Sequence, residues 1–222
     1  MRRDKHRGRF ITFEGLDGSG KSTHLERLAT YLRSTGLEVL TTREPGGTEI
    51  GEQIRSILLD SRTQGLTPLS ELALMFASRA QLIAELIQPA LNRGVWVLCD
   101  RYTDSSEAYQ GAGRQLGVEA VLTLHRILCL GLQPELTLLL DNDVSACVAR
   151  ARRRNQAAVG EGDENRFEQE NRVFFERVHQ QFLAIARREP ERVVLIDARR
   201  SQDEVHEQVV SVVEQRLPRG QE

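Results

Sequence analysis

The chain has 222 residues, with 30 Lys+Arg against 32 Asp+Glu, a formal net charge of -2, and 40% hydrophobic residues. It is long enough to bury a full core. Its near-neutral balance argues against generic binding to a nucleic-acid backbone or an anionic membrane, both of which need net positive surface. No apolar run approaches the ~20 residues of a membrane span, and basic Met1 to Arg9 lacks the apolar stretch of a secretory signal, so a cytoplasmic protein is expected.

The elements alternate along the chain. Phe10–Phe13 is a short apolar strand followed by a glycine-rich turn, and helical spacing then runs from about Ser22 to Tyr31, with Leu25, Leu28 and Leu32 on one face. Gly36 ends that helix and Val39-Leu40 opens a second strand. A helix follows over Ile50 to Leu59 and a long one over Leu69 to Leu91; Gly94 stops the latter ahead of the strand Val95–Cys99. Further strands read at Leu136–Leu140 and Val193–Ile196, each followed by a helical segment. Strands separated by helices of this length predict βαβ units, a parallel sheet covered on both faces and a three-layer α/β fold. Arg150 to Arg166 is basic, then rich in glycine and acid, and reads as a mobile lid on one domain spanning residues 1–222. Cys99, Cys129 and Cys147 are scattered through apolar segments without zinc-ligand spacing, which predicts reduced, buried thiols.

The segment Gly15-Leu16-Asp17-Gly18-Ser19-Gly20-Lys21-Ser22-Thr23 carries the pattern G-x-x-x-x-G-K-[ST], placed after a strand and before a helix. Glycines there let backbone N–H groups wrap a phosphate, and the helix N-terminus adds positive potential. Lys5 and Lys21 are the only lysines in a chain whose other basic residues are arginines, so a lysine at this position carries weight. Lys21 is expected to reach the β/γ-phosphates of ATP, and the Ser22 hydroxyl to ligate Mg²⁺.

A phosphate loop serves switches, motors and small-molecule kinases alike. The strand Val95–Cys99 runs into Asp100, a natural site for a carboxylate that helps hold Mg²⁺, although a solvated strand end reads the same way. A motor ATPase commonly places Glu next; here the next residue is Arg101, which suits a second phosphate-bearing substrate better than a hydrolytic water. No Asn-Lys of a guanine motif occurs. These features favour transfer between two nucleotides.

Phe13-Glu14-Gly15, Arg43-Glu44-Pro45-Gly46-Gly47-Thr48 and Asp100-Arg101-Tyr102 with Ser105, Ala108, Tyr109 and Gln110 appear in that order, and with them the chain resembles the thymidylate kinases. The resemblance runs from about Arg9 to the C-terminal helix. It implies a P-loop kinase fold and phosphorylation of dTMP to dTDP with ATP and Mg²⁺, in dTTP biosynthesis. It further implies that Arg101 binds the acceptor phosphate and that Glu44 orients the acceptor region. Phe76 would stack on thymine and Arg79 bond its edge, while Ser105, Ser106, Tyr109 and Gln110 would lie near sugar and base, with Tyr109 crowding the 2′ position. Spacing alone reads Phe76 as a core residue, and the polar set as solvated helix positions. Asp17 either orients the acceptor or caps the turn, and Arg55 is a further candidate for the phosphate.

Some thymidylate kinases carry an arginine inside the P-loop; here that position is Gly18, so the resemblance is to the subtype that supplies the charge from its lid. Arg154 is expected to be catalytic, with Arg150 and Arg152 nearer the nucleotide. The helix around Leu72 to Leu91 is apolar nearly all round, which together with the resemblance implies a homodimer. Two rival readings stay open: a kinase for another nucleoside monophosphate or a deoxynucleoside, and a nucleotide-binding regulatory module without turnover.

Overall fold

Phe10–Glu14 (β1) is buried at every position and lies at the centre of a five-stranded parallel sheet. The computed structural model describes residues 8–157 and 166–218. The other strands are Val39–Arg43 (β2), Trp96–Asp100 (β3), Leu136–Asp141 (β4) and Val193–Asp197 (β5), in the spatial order β2-β3-β1-β4-β5. Residues Phe10–Phe13 register with Val97–Asp100 on one side, and Ile11–Glu14 with Leu136–Leu139 on the other. Buried strands β1, β3 and β4 read as nearly unbroken apolar runs because both faces are covered, whereas edge strand β2 carries Thr41, Thr42 and Arg43. After β1 the chain crosses to build one half of the sheet and then returns to build the other, so the crevice outside the carboxyl ends of the strands opens beside β1.

On one face, Lys21–Ser34 (α1) and Gln202–Arg216 (α9) pack Leu25, Leu28, Leu32, Val205 and Val209 against Ile11, Phe13 and Leu138. The opposite face carries Arg172–Arg188 (α8), whose Phe174, Val178 and Phe182 meet Leu139 and Tyr109. Several helices start where the sequence supplies caps: Thr48 accepts from Gly51 N–H at the start of Glu49–Leu59 (α2), and Asn171 accepts from Phe174 N–H at the start of α8. Ser201 and Glu204 form a reciprocal capping box on α9.

Two helices depart from expectation. The long helix over Leu69–Leu91 is built as Pro68–Leu82 (α3), a wide π-type turn over Ile83–Ile87 and Gln88–Asn92 (α4). Pro89 has no N–H to return to the preceding turn, and the wider turn absorbs the missing bond. The basic half of the expected lid is helical: Val144–Ala157 (α7) carries Arg150 to Arg154, because arginine and alanine favour helix and Val144, Cys147, Val148 and Ala151 form an apolar stripe. Residues 158–165, the glycine- and acid-rich half of that lid, lie outside the described residues. Cys99, Cys129 and Cys147 are free and buried, as expected.

Thr103–Ser106 (α5) continues into a second wide turn over Glu107–Gly113, ahead of Val118–Leu128 (α6). A Cβ on Gly113 would stand 2.7 and 2.9 Å from two ring atoms of buried Phe174. Gly113→Ala is therefore expected to destabilise the fold by about 1–3 kcal/mol through overpacking. Urea denaturation with a lowered midpoint and an unchanged slope would report that loss.

Candidate active site

Gly20 precedes α1 in the left-handed region at φ 103°, a conformation that turns the first N–H groups of the helix toward the crevice without a side-chain cap. At the first helical position, Lys21 is buried and donates from Nζ to Leu16 O at 3.0 Å, with Asp17 Oδ1 at 3.7 Å. Burial and the neighbouring Arg101 charge both lower its affinity for a proton. Ser22 Oγ donates to Asp100 Oδ2 at 2.5 Å, so the end of β3 and the start of α1 bring a hydroxyl and a carboxylate together. Lys21, Ser22, Thr23, Asp100, Arg101 and Arg150 are among the residues lining one cavity over this loop. Leu16 and Ser19 are instead buried beneath it.

A second cavity adjoins the first, and Asp17, Glu44, Arg55, Arg101 and Arg154 line both. Arg101 sits at their junction with φ 72°, a strained conformation for a side chain of this size and one concentrated at functional sites. Its backbone N–H is held by Phe13 O at 2.9 Å. Its guanidinium donates to Gly15 O at 3.1 Å, Ser105 Oγ at 2.8 Å, Asp17 Oδ1 at 2.8 Å and the Tyr109 hydroxyl at 3.3 Å. Burial alone would raise the Asp17 carboxyl, but the charges of Arg101 and Lys21 outweigh it and hold Asp17 well below the ordinary carboxylate range. The Tyr109 ring lies beneath Arg101, 5.0 Å from the guanidinium carbon, and burial keeps its phenol protonated.

The far wall of the second cavity is a buried polar array. Arg79 Nε donates to Glu44 Oε2 at 2.6 Å, and Arg79 Nη2 to Tyr102 O at 3.1 Å and Ser106 Oγ at 3.0 Å. Both members of the Arg79–Glu44 pair are essentially excluded from solvent, and burial pushes the Glu44 carboxyl up to about 7 against the pull of Arg79. Among the described residues, Arg79 Nη1 and Glu44 Oε1 have no partner. Gln110, Met75 and Phe167 complete this wall. The Glu44–Pro45 peptide is cis, and Pro45 O accepts from Arg55 Nη1 at 2.8 Å.

The structure brings together the P-loop residues, Glu44, Arg79, Arg101, Ser105, Ser106, Tyr109 and Gln110. It does not bring Phe76 to the cavity. Phe76 is fully buried with Leu72, Val121 and Cys129, beneath the Arg79 guanidinium at 4.6 Å, and its neighbour Met75 takes the cavity wall. On a helix, consecutive residues face about a quarter-turn apart, so a one-residue difference separates core from cavity.

Two participants, Phe167 and Arg166, had little sequence signal, and a third, Glu14, had a motif but no assigned role. Phe167 packs edge-on to Tyr109 at 5.7 Å. Arg166 donates to Glu71 Oε2 at 2.7 Å. Glu14 is part of the Phe-Glu-Gly signature, and the structure supplies its contacts: it accepts from Tyr102 N–H at 2.7 Å, Ser105 N–H at 3.2 Å and Ser105 Oγ at 2.5 Å. Burial, helped by the Asp104 charge, raises Glu14 to about 7.

The lid arginines separate by direction. Arg150 Nε donates to Gly18 O at 2.8 Å, over the P-loop. Arg154 lines both cavities and lies close enough to Asp17 to depress its carboxyl. Arg152 instead donates to Glu168 O at 3.1 Å and Glu170 O at 3.4 Å, away from the nucleotide loop. A Cβ at Gly18 would stand 2.4 Å from Cys147 O, and Gly18 has φ 80°, so α7 packs on the P-loop too closely for an arginine at that position.

Comparison with known proteins agrees with this geometry. Residues 13–209 match the family model described as thymidylate kinase. A thymidylate kinase of Alkalilimnicola ehrlichii is 50% identical over 192 residues, 86% of each chain. One of Pelobacter propionicus is 46% identical over 206 residues, covering 93% of this chain and 94% of that one. The crystal structure of thymidylate kinase from Ehrlichia chaffeensis superposes with a TM-score of 0.75 at 31% identity, covering 93% of this chain and 99% of that one. With that agreement of sequence, fold and site, the chain belongs to the thymidylate kinase family.

Proposed function

We propose that the chain phosphorylates dTMP to dTDP with ATP, in dTTP synthesis, and that the two adjoining cavities hold donor and acceptor. The observation that carries this reading is the set of residues common to both cavities: Asp17, Glu44, Arg55, Arg101 and Arg154 surround the place where a donor phosphate over the P-loop and an acceptor phosphate would meet. Phosphoryl transfer needs alignment and charge neutralisation more than covalent chemistry; three of those five residues are cations, and Glu44 is already paired with Arg79. The acceptor oxygen is already ionised, so Asp17, held as a carboxylate by Arg101 and Lys21, orients groups and removes no proton. Lys21 exchanges its Leu16 carbonyl contact for donor phosphate, with the open N–H groups of α1 beside it. Burial of Lys21 and Arg101 away from bulk water strengthens each of these contacts.

The Ser22 hydroxyl and Asp100 carboxylate suit a hard divalent cation such as Mg²⁺, and among the described residues no cluster of three or more carboxylate, imidazole or thiolate ligands offers an alternative site. Bound there, Mg²⁺ neutralises phosphate charge. The reading as one domain closed by a lid is supported by Arg150 and Arg154 on α7, which reach the P-loop and the cavity junction. Closure excludes water and completes the cation set. A homodimer is supported by the apolar surface of α2 and α3, where Ile50, Ile57 and Leu69 are 49%, 47% and 62% exposed beside exposed Ala73 and Ala77. No helix among the described residues is long and apolar enough to cross a membrane, and together with the reduced thiols this supports a cytoplasmic enzyme.

A coupled ADP-release assay over a panel of nucleoside monophosphates tests the reading: dTMP is expected as the preferred acceptor, and turnover confined to another monophosphate, or ATP binding without any turnover, would overturn it. Lys21→Ala should lower kcat by about 10²-fold or more with an unchanged melting temperature, because it removes phosphate charge stabilisation and little apolar packing. Tyr109→Phe retains the ring among Phe167, Phe174 and Phe182 and should keep dTMP affinity, whereas Tyr109→Ala should relax discrimination between deoxyribose and ribose monophosphates. Alanine replacement of Arg150, Arg152, Arg153 and Arg154 in turn should single out Arg154, with kcat down ~10³-fold or more and near-normal dTMP binding. Wild-type kcat in all four variants would remove the lid from the chemistry.

A further inference from the structure

Glu71 lies on α3, outside the lining of both cavities, and is 1% exposed. It is a hub for three groups. Its Oε1 accepts from Gln110 Nε2 at 2.8 Å and from Arg114 Nε at 3.2 Å, and its Oε2 from Arg114 Nε at 3.2 Å and Arg166 Nη2 at 2.7 Å. Every one of these bonds is donated to Glu71, and the guanidiniums of Arg114 and Arg166 have only donors to offer, so both carboxyl oxygens are engaged as acceptors. The Gln110 amide therefore has one permitted orientation, with Nε2 toward Glu71 and Oε1 available to the cavity that Gln110 lines. On the same wall Arg79 Nη1 is a buried donor without a partner among the described residues.

A donor and an acceptor on one wall match a base edge that presents a carbonyl beside an imino N–H, as O4 and N3–H do in thymine and uracil. Cytosine presents the inverse, an amino donor beside an unprotonated N3. We propose that Glu71 is a positioning residue for base specificity: it fixes the Gln110 amide so that Oε1 accepts from N3–H, and thereby rejects cytidylate at the acceptor site. This rests on the acceptor reading above, with Arg79 and Gln110 at the base end. The mechanism is discrimination through a buried polar group left unpaired by the wrong base. It gives a wholly buried side chain behind the cavity wall a role: its two oxygens accept from both guanidiniums and from the amide, and that acceptor geometry fixes which way the amide turns.

Glu71→Gln tests the proposal. Arg114 and Arg166 both need an acceptor and converge on Oε2, so the new amide should turn its oxygen toward them and its NH₂ toward Gln110. Gln110 then reverses and offers Nε2 to the cavity. Steady-state kinetics with dTMP, dUMP and dCMP should show the dTMP/dCMP ratio of kcat/KM falling by about 10–100-fold, with dCMP turnover rising in absolute terms. The dTMP/dUMP ratio and the KM for ATP should stay as in the wild type, since thymine and uracil share the N3–H and O4 edge. A purely structural role for Glu71 would lower all three acceptors together, and that result, or an unchanged dTMP/dCMP ratio, would overturn the proposal. If Glu71→Gln does not fold, a structure of the wild-type protein with dTMP decides. Gln110 within hydrogen-bond distance of both Glu71 and N3 supports the assignment; Gln110 turned from either one overturns it. A wild-type enzyme inactive on dTMP would instead overturn the functional reading, which separates the two failures.

Discussion

The site depends on Arg101 and its strained backbone. β3 ends at Asp100, and Arg101 turns the chain through φ 72° while its N–H remains tied to Phe13 O in the neighbouring strand. That turn aims the guanidinium across the carboxyl end of β1, where Gly15 O, Asp17, Ser105 and Tyr109 receive it. Strain of this kind costs about 1–3 kcal/mol and persists only where the surroundings over-determine it. Here four acceptors do so, and they belong to the nucleotide loop and the acceptor wall at once. One side chain thus ties the phosphate loop to the wall of the second cavity.

Three buried glutamates support that arrangement in different ways. Glu14 ties the start of α5 to the end of β1 and positions Ser105, the acceptor for Arg101. Glu44 forms a pair with Arg79 on the cavity wall. Glu71 stands behind the wall and holds both Gln110 and Arg166. Glu14 and Glu44 are both pushed up to about 7 by burial, so each is retained against a desolvation cost that an apolar core residue would not carry. A buried charge without its partner is more costly still, which makes the geometry of these pairs hard to deform.

Helix α7 and the P-loop are sterically coupled. At Gly18, α7 approaches until a Cβ would overlap Cys147 O, and the same approach lets Arg150 bond Gly18 O and brings Arg154 to the cavity junction. An arginine within the loop and an α7 packed this closely exclude one another. The helix whose approach requires glycine at position 18 itself places a guanidinium, that of Arg150, over the loop.

Much of this was legible in the sequence, for physical reasons that hold locally. Alternation of apolar strands with amphipathic helices expresses the two-sided burial of a parallel sheet, so all five strands could be read from period and punctuation. The phosphate loop was legible because wrapping a phosphate demands glycines, a lysine and a hydroxyl at consecutive positions of one turn. Wider facts required the fold. Whether Met75 or Phe76 faces the acceptor cavity depends on the rotation of α3 about its axis, which neighbouring α6 sets and spacing does not encode. The helical state of Arg150–Arg154 depends on the apolar stripe of α7 finding a surface to cover. The roles of Glu71, Arg166 and Phe167 arise from contacts between residues that are 95 positions apart or belong to different elements, as Arg166 and Glu71 do. The sequence by itself determined the sheet, the nucleotide loop and the order of motifs, because those follow from local periodicity and backbone chemistry. Only the tertiary structure decided which side chains share the acceptor wall and which way the Gln110 amide points, because those are set by distant charges brought together in the interior.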